Sequence, residues 1–267
     1  MNVTSADGTI IGVDRSGEGP AVILVHGGFT DRSHPTWSAV AAALAPEYTV
    51  YNYDRRGRGG SGDTAPYSVD REIEDIEALI KDAGGSALLV GGSSGAALAA
   101  LATAKGIGVN GLIMWEPPYI VGDFRPPLRT DLEAVLTDLV AQGRRGDAAE
   151  LFMVEAAQVP ADMVAQMRSQ PFWGPQVEAV AHTLAYECAV LGPGNPLPTD
   201  LLASITVPTL VLTGGNSPAW MTEAGKAAAA AIPAAEHRVL ADQIHDVSAE
   251  ALAPAVAGFF ATAISRS

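Results

Sequence analysis

The chain has one cysteine, a low aromatic content of 6%, and 16 Lys and Arg against 30 Asp and Glu, a formal net charge of −14. With Cys188 alone, no internal disulfide can form and a thiolate metal site has no second sulfur ligand. Its neighbours Tyr186, Ala189, Val190 and Leu191 place the thiol on a buried helix face rather than at a reactive surface. The acidic balance argues against nucleic acid or an anionic membrane as partner, since both are polyanions. No apolar run reaches the length of a membrane span. Residues Met1 to Gly8 are polar and lack a basic start followed by an apolar run, so no signal peptide is expected and the cytoplasm is the expected location. Scarce aromatics leave the size of any binding pocket unread.

What is present is a compact globular composition: 48% hydrophobic residues in 267, with 28 Gly and 18 Pro. That length fits one α/β domain or two small ones. Strands are expected at Thr9 to Asp14, Ala21 to Val25, Tyr48 to Tyr53, the run ending at Val90, Asn110 to Trp115, Thr209 to Thr213 and Glu236 to Leu240. Between them, helical spacing marks Trp37 to Leu44, Val69 to Ala83 (with Ser68 as cap), a segment running to about Ala104, one near Met221 to Ala231, and Ala249 to Ile264 with Ser248 as cap. Strands alternating with helices mean a mostly parallel, doubly wound sheet covered on both faces. From 119 to 203 the periodicity is helical only: Leu128 to Ala141, Ala148 to Gln158, Ala161 to Arg168 and Gln176 to Leu191, separated by Pro-rich joints. This block reads as a helical lid inserted into a core made of 1–118 and 204–267.

The segment Leu88-Leu89-Val90-Gly91-Gly92-Ser93-Ser94-Gly95-Ala96-Ala97 organises the rest. An apolar strand breaks into glycines and serines, then becomes an Ala/Leu-rich helix. Gly91, Ser93 and Gly95 form G-x-S-x-G, which would hold Ser93 exposed on a sharp strand-to-helix turn with helix N–H groups beside it. A relaxed copy shifted by one residue, Gly92, Ser94 and Ala96, is the competing frame. Ser93 is preferred because it keeps both glycines.

Ligands bind at the C-terminal ends of parallel strands. The residues just past those ends are His26-Gly27-Gly28, Asp54, Ser93-Ser94, Glu116, Gly214-Gly215-Asn216-Ser217 and His245. A serine hydroxyl is a weak nucleophile until an imidazole takes its proton, and the imidazole needs an acceptor to fix its tautomer. His245, in the loop before the last helix, is the candidate base. His26, His34, His182 and His237 have plainer roles as strand-end, loop, helix and strand residues.

On these residues the chain resembles the α/β-hydrolases with a helical lid: His26-Gly27-Gly28 after a strand, Asp54-Arg55-Arg56-Gly57-Arg58-Gly59, the Ser93 turn, and a late histidine. The resemblance implies a cofactor-free, metal-free serine hydrolase with its residues in the order Ser, acid, His. The family usually carries its acid just after the strand that here is Thr209 to Thr213. This chain has Gly214-Gly215-Asn216-Ser217 there, with no carboxylate before Glu223. In placing Glu116 after the preceding strand, in Trp115-Glu116-Pro117, and in lacking the later Asp, it is similar to the zearalenone-type lactone hydrolases. Glu116 is therefore the candidate acid, with Asp242, Asp246 and Asn216 as alternatives. Backbone N–H groups of Ser94 and Gly28, or of Phe29 in place of Gly28, would form the oxyanion hole. Phe29, Trp173 and Trp220 are expected to line the pocket. The function expected is hydrolysis of a small-molecule carboxylic ester or lactone. C–C bond hydrolysis, perhydrolysis and non-hydrolytic binding remain as alternatives, and the oligomeric state is open, a homodimer included. Dehalogenase or epoxide-hydrolase chemistry is not expected, because those relatives attack with an aspartate where this chain has Ser93.

Overall fold

The structure is a computed structural model, and it describes residues 1–233 and 235–264. Eight strands form one sheet: β1 (Asn2–Thr4), β2 (Ile10–Ser16), β3 (Ala21–Val25), β4 (Thr49–Tyr53), β5 (Ala87–Gly92), β6 (Val109–Trp115), β7 (Thr209–Gly214) and β8 (Ala235–Leu240). Their order is β1-β2-β4-β3-β5-β6-β7-β8. β1/β2 and β2/β4 pair antiparallel, and every other neighbour pair is parallel. β3, β4, β5 and β7 are buried along their whole length, as strands covered on both faces must be.

Alternation along each strand sorts side chains between two cores. Ile23, Val25, Tyr51, Tyr53 and Leu89 face α2 (Val69–Asp82), α3 (Ser94–Ala104), α8 (Thr199–Ala203) and α9 (Ala219–Ala231). Val22, Leu24, Val50, Leu88 and Val90 face α1 (Pro35–Leu44) and α10 (Ala249–Ile264). α3 is built almost wholly of Ala, Gly, Ser and Leu, so it seats close against the sheet with nine residues buried. No described helix is long and apolar enough to cross a membrane.

Between β6 and β7 the chain forms a helical insertion: α4 (Leu132–Ala141), α5 (Arg145–Leu151), α6 (Ala161–Arg168), α7 (Leu184–Leu191) and the short α8. Its first four helices share an apolar cluster of their own, centred on Leu132, Leu136, Met153, Trp173, Leu184 and Cys188. A β-bridge between Ile120 and Pro196, with Ile120 N–H donating to Asn195 O at 2.7 Å, closes its neck.

Element boundaries depart from the sequence expectation where local signals compete. β1 is an added edge strand whose three residues are too few to show alternation. β2 starts one residue later than expected and runs on to Ser16, held by antiparallel pairing with β4. The helix expected from Leu128 starts at Leu132, after the Pro126-Pro127 pair. The helix expected over Ala148 to Gln158 is α5 followed by a π turn at Phe152–Ala156. That expected over Gln176 to Leu191 is a π turn at Trp173–Val177, a 3₁₀ turn at Glu178–Thr183 and α7. Ser68 stands at the start of α2 without a side-chain cap bond, whereas Ser248 Oγ accepts from Ala251 N–H at 3.3 Å.

Candidate active site

The parallel register brings four strand ends to one edge. Gly92 pairs with Trp115 and Trp115 with Leu212, and the ladder continues one step further: Ser93 N–H donates to Trp115 O at 2.8 Å and Glu116 N–H to Leu212 O at 2.9 Å. Just past these ends lie four non-glycine residues with positive φ: Phe29 (60°), Ser93 (56°), Glu116 (44°) and Asp242 (59°). Such backbone is strained for L-residues, and its clustering on one edge singles that edge out as the candidate site. Ser93, with ψ −128°, is the bent residue, while Ser94 is the first residue of α3. A side chain at Gly91 would strike Gly95 and Ala96, and one at Gly95 would strike the carbonyls of Val25 and His26, so both flanking glycines are required by close packing.

Glu116 is fully buried and accepts two hydrogen bonds, from His245 Nδ1 at 2.7 Å and from the Gly214 N–H at 2.8 Å. With Nδ1 turned to the carboxylate, Nε2 is the ring nitrogen left to accept a proton. Trp115 Nε1 donates to the His245 carbonyl at 2.9 Å and holds the loop in which the imidazole sits. Ser93 and His245 border one cavity of about 220 Å³. Gly27 and Gly28 complete its floor, Trp37 and Trp115 give it apolar walls, and Thr30 and His34 supply polar ones. Of the other acid candidates, Asp242, Asp246 and Asn216 are exposed. Among the described residues, the N–H groups of Gly28 and Ser94 have no acceptor. Ser94 is 3% exposed, and a buried N–H without a partner is costly unless a ligand oxygen uses it.

The sequence pattern of the alpha/beta hydrolase family matches residues 22–252. The chain belongs to that family. An α/β hydrolase from Sphaerobacter thermophilus is 50% identical, with a TM-score of 0.90 over 97% of this chain and 100% of that one. The enol-lactonase of Burkholderia xenovorans, 20% identical, shares the fold at a TM-score of 0.71 over 98% of this chain and 100% of that one. A fluoroacetate dehalogenase of Burkholderia is 42% identical over 74 residues, 26% of this chain and 24% of that one. The chain spans less than half the length of the curated relatives it matches.

Three residues expected in the pocket do not border the Ser93 cavity. Phe29 packs edge-on against Phe152 (ring centroids 5.7 Å apart) and joins the apolar cluster of the insertion. Trp173 is 3% exposed inside that cluster, its Nε1 donating to Glu178 at 2.8 Å. Trp220 opens α9 with the Arg125 guanidinium 4.7 Å from its ring centroid. A place in a loop or in a Pro/Gly-bounded turn, as for Phe29 and Trp173, does not say against what the ring packs. The walls come instead from Trp115 and from the segment just after His26-Gly27-Gly28, and that position past a strand end was the signal available for Thr30, His34 and Trp37.

Three of the remaining histidines, His26, His237 and His182, meet structural partners. His26 Nε2 meets Asn52 Oδ1 at 2.7 Å, and burial pulls its pKa down to about 3 against that hydrogen bond. His237 meets Thr213 Oγ1 at 2.9 Å on β8, and His182 lies 3.6 Å from Asp63. Cys188 is buried in α7, which pushes its thiol up to about 12. Among the described residues, no group of three His, Cys, Asp or Glu is placed to hold a metal ion.

Proposed function

We propose that this α/β hydrolase cleaves small carboxylic esters, linear or cyclic, by a serine acyl-enzyme mechanism. The observation that carries the reading is the buried Glu116–His245 pair at 2.7 Å, beside a cavity shared with the strained Ser93. Ser93 Oγ attacks the ester carbonyl while His245 Nε2 takes its proton. The N–H groups of Gly28 and Ser94 receive the developing oxyanion. His245 then gives the proton to the leaving alcohol, Glu116 stabilising the imidazolium without itself becoming protonated. Water, activated by the same imidazole, releases the acid and restores Ser93. The helical insertion serves as a lid over this edge. A cavity of about 220 Å³ favours compact esters and small lactones over long acyl chains. A serine at the turn supplies no carboxylate for the displacement that aspartate-based dehalogenases use.

The test is hydrolysis of a panel of short aryl esters, long-chain esters and lactones, with Ser93→Ala as blank. The reading expects turnover on the short members that falls by at least ~10³-fold in the variant. Folded protein without turnover on any member, or turnover that survives Ser93→Ala, overturns it.

A further inference from the structure

Behind the two N–H groups lies a buried charge cluster that the proposed mechanism does not use. Arg55 and Arg58 are among the largest fully buried side chains of the protein, and Glu187 of α7 is fully buried between them. Arg55 Nη1 reaches Glu187 at 2.8 Å and its other nitrogens grip Glu72 at 2.6 and 2.7 Å, while Arg58 Nη2 pairs with Glu187 as well. Burial would raise the Glu187 carboxyl, but the two guanidiniums and the Ser94 hydroxyl outweigh it and hold it below the usual carboxylate range.

The second set of contacts made by these arginines is more informative. Arg55 Nη1 donates to the His26 carbonyl at 3.0 Å, and Arg58 Nη1 donates to the carbonyls of Gly27 and of Thr30. Thr30 Oγ1 donates to the Gly27 carbonyl too, at 3.0 Å. The only cis peptide among the described residues is Ala65-Pro66, so the Gly27–Gly28 peptide is trans and planar. In such a unit C=O and N–H point in opposite directions. Holding the Gly27 oxygen against Arg58 therefore turns the Gly28 N–H the other way, toward the cavity that Gly27, Gly28 and Ser93 line. Glycine is the residue most free to rotate this peptide, so the orientation needs an external clamp.

We propose that Arg58, locked by Glu187 of the insertion, is a positioning residue that aims the Gly28 N–H at the substrate oxygen, with Thr30 as a second clamp on the same carbonyl. The inference rests on the serine-hydrolase reading. It makes the insertion part of the catalytic geometry: α7 reaches through to the oxyanion loop by a charge, not only by apolar packing.

The experiment uses the full chain and the variants Arg58→Met, Arg58→Lys and Thr30→Val. A serine-reactive phosphonate counts competent sites, so kcat on a short aryl ester is expressed per labelled Ser93 and lost folding is separated from lost positioning. Arg58→Met is expected to lower kcat per site by about 10²-fold with KM little changed, as for loss of one oxyanion donor. Affinity for an aryl trifluoromethyl ketone, which forms a tetrahedral adduct with serine, should fall by a similar factor. Arg58→Lys should recover part of the loss, since an ammonium can reach the carbonyl but cannot span both partners. Thr30→Val, which leaves the buried charges untouched, should cost several-fold in kcat and serves if Arg58→Met does not fold. Per-site kcat within twofold of the parent in folded Arg58→Met, or in Thr30→Val where Arg58→Met does not fold, overturns the inference. If the parent hydrolyses no ester, the serine-hydrolase reading falls. Crystal structures of parent and Arg58→Met, or of parent and Thr30→Val where Arg58→Met does not fold, then judge the clamp by itself: a rotated Gly27–Gly28 peptide upholds it, and an unmoved one overturns it.

Discussion

Two neighbouring strand ends, those of β6 and β7, divide the work differently from the family's usual arrangement. Past β7, where the acid is commonly found, this chain has a glycine turn whose Asn216 is exposed and whose Gly214 offers only an N–H. Past β6, Glu116 is fully buried, bends back on a positive φ, and takes that N–H together with the imidazole. In this chain the β6 end supplies the acceptor and the β7 end a donor to it, and the imidazole is held. A carboxylate can stand at either end because the strands are one ladder spacing apart, so both positions lie within reach of the same loop. What cannot move is the need for a second hydrogen bond, since an isolated buried carboxylate is strongly destabilised. The β7 turn supplies that bond.

Glu116→Gln is the sharpest way to break this comparison. It keeps the shape but leaves the imidazolium without a charge partner, and kcat should fall by about 10⁴-fold on the best ester with the fold intact by circular dichroism. Gly214→Ala comes next. A Cβ there would strike the Gln243 carbonyl and approach Ser217 Oγ at 2.7 Å, so the turn must shift and its N–H leaves Glu116. A loss of about tenfold in kcat is expected, for one charge-assisted hydrogen bond of roughly 1.5 kcal/mol. The smallest activity effect should come from Asn216→Asp in the Glu116→Gln background. Kinetics that recover to near parental values would show that a carboxylate past β7 serves the same imidazole as well as one past β6, and would erase the contrast.

A third strand end, that of β3, sharpens the contrast through pH. His26 is buried and neutral with a folded pKa of about 3, against 6.5 when unfolded. The unfolded chain therefore binds the proton more readily, and this contribution is complete above pH 6.5 and lost as pH falls from there toward 3. Denaturant unfolding should show stability declining by up to a few kcal/mol across that window. His26→Gln, which retains a partner for Asn52, should flatten the slope. An unchanged slope would mean that other groups govern acid unfolding.

Much of this was legible along the chain. Apolar runs ending in Gly, Ser or His marked the parallel strands and their functional ends, because a strand buried on both faces must be apolar and its loop must not be. G-x-S-x-G located the bent serine, since only glycine permits the contacts at Gly91 and Gly95. The lack of a carboxylate between Gly214 and Glu223 directed attention to Glu116. The sequence could not tell Trp173 from a pocket wall, because its place in the turn Pro171-Phe172-Trp173-Gly174-Pro175 does not say against what the ring packs. It was equally silent on Glu187, a lone acid in the run Leu184-Ala185-Tyr186-Glu187-Cys188, 132 residues from Arg55. Local propensity and patterning, which act over a few residues, determined the strands, the turn and the order of Ser93, Glu116 and His245. Which carboxylate meets the imidazole, which peptide is clamped by Arg58 and which aromatic faces the cavity were decided only when the sheet register and the docked insertion brought distant groups within hydrogen-bonding distance.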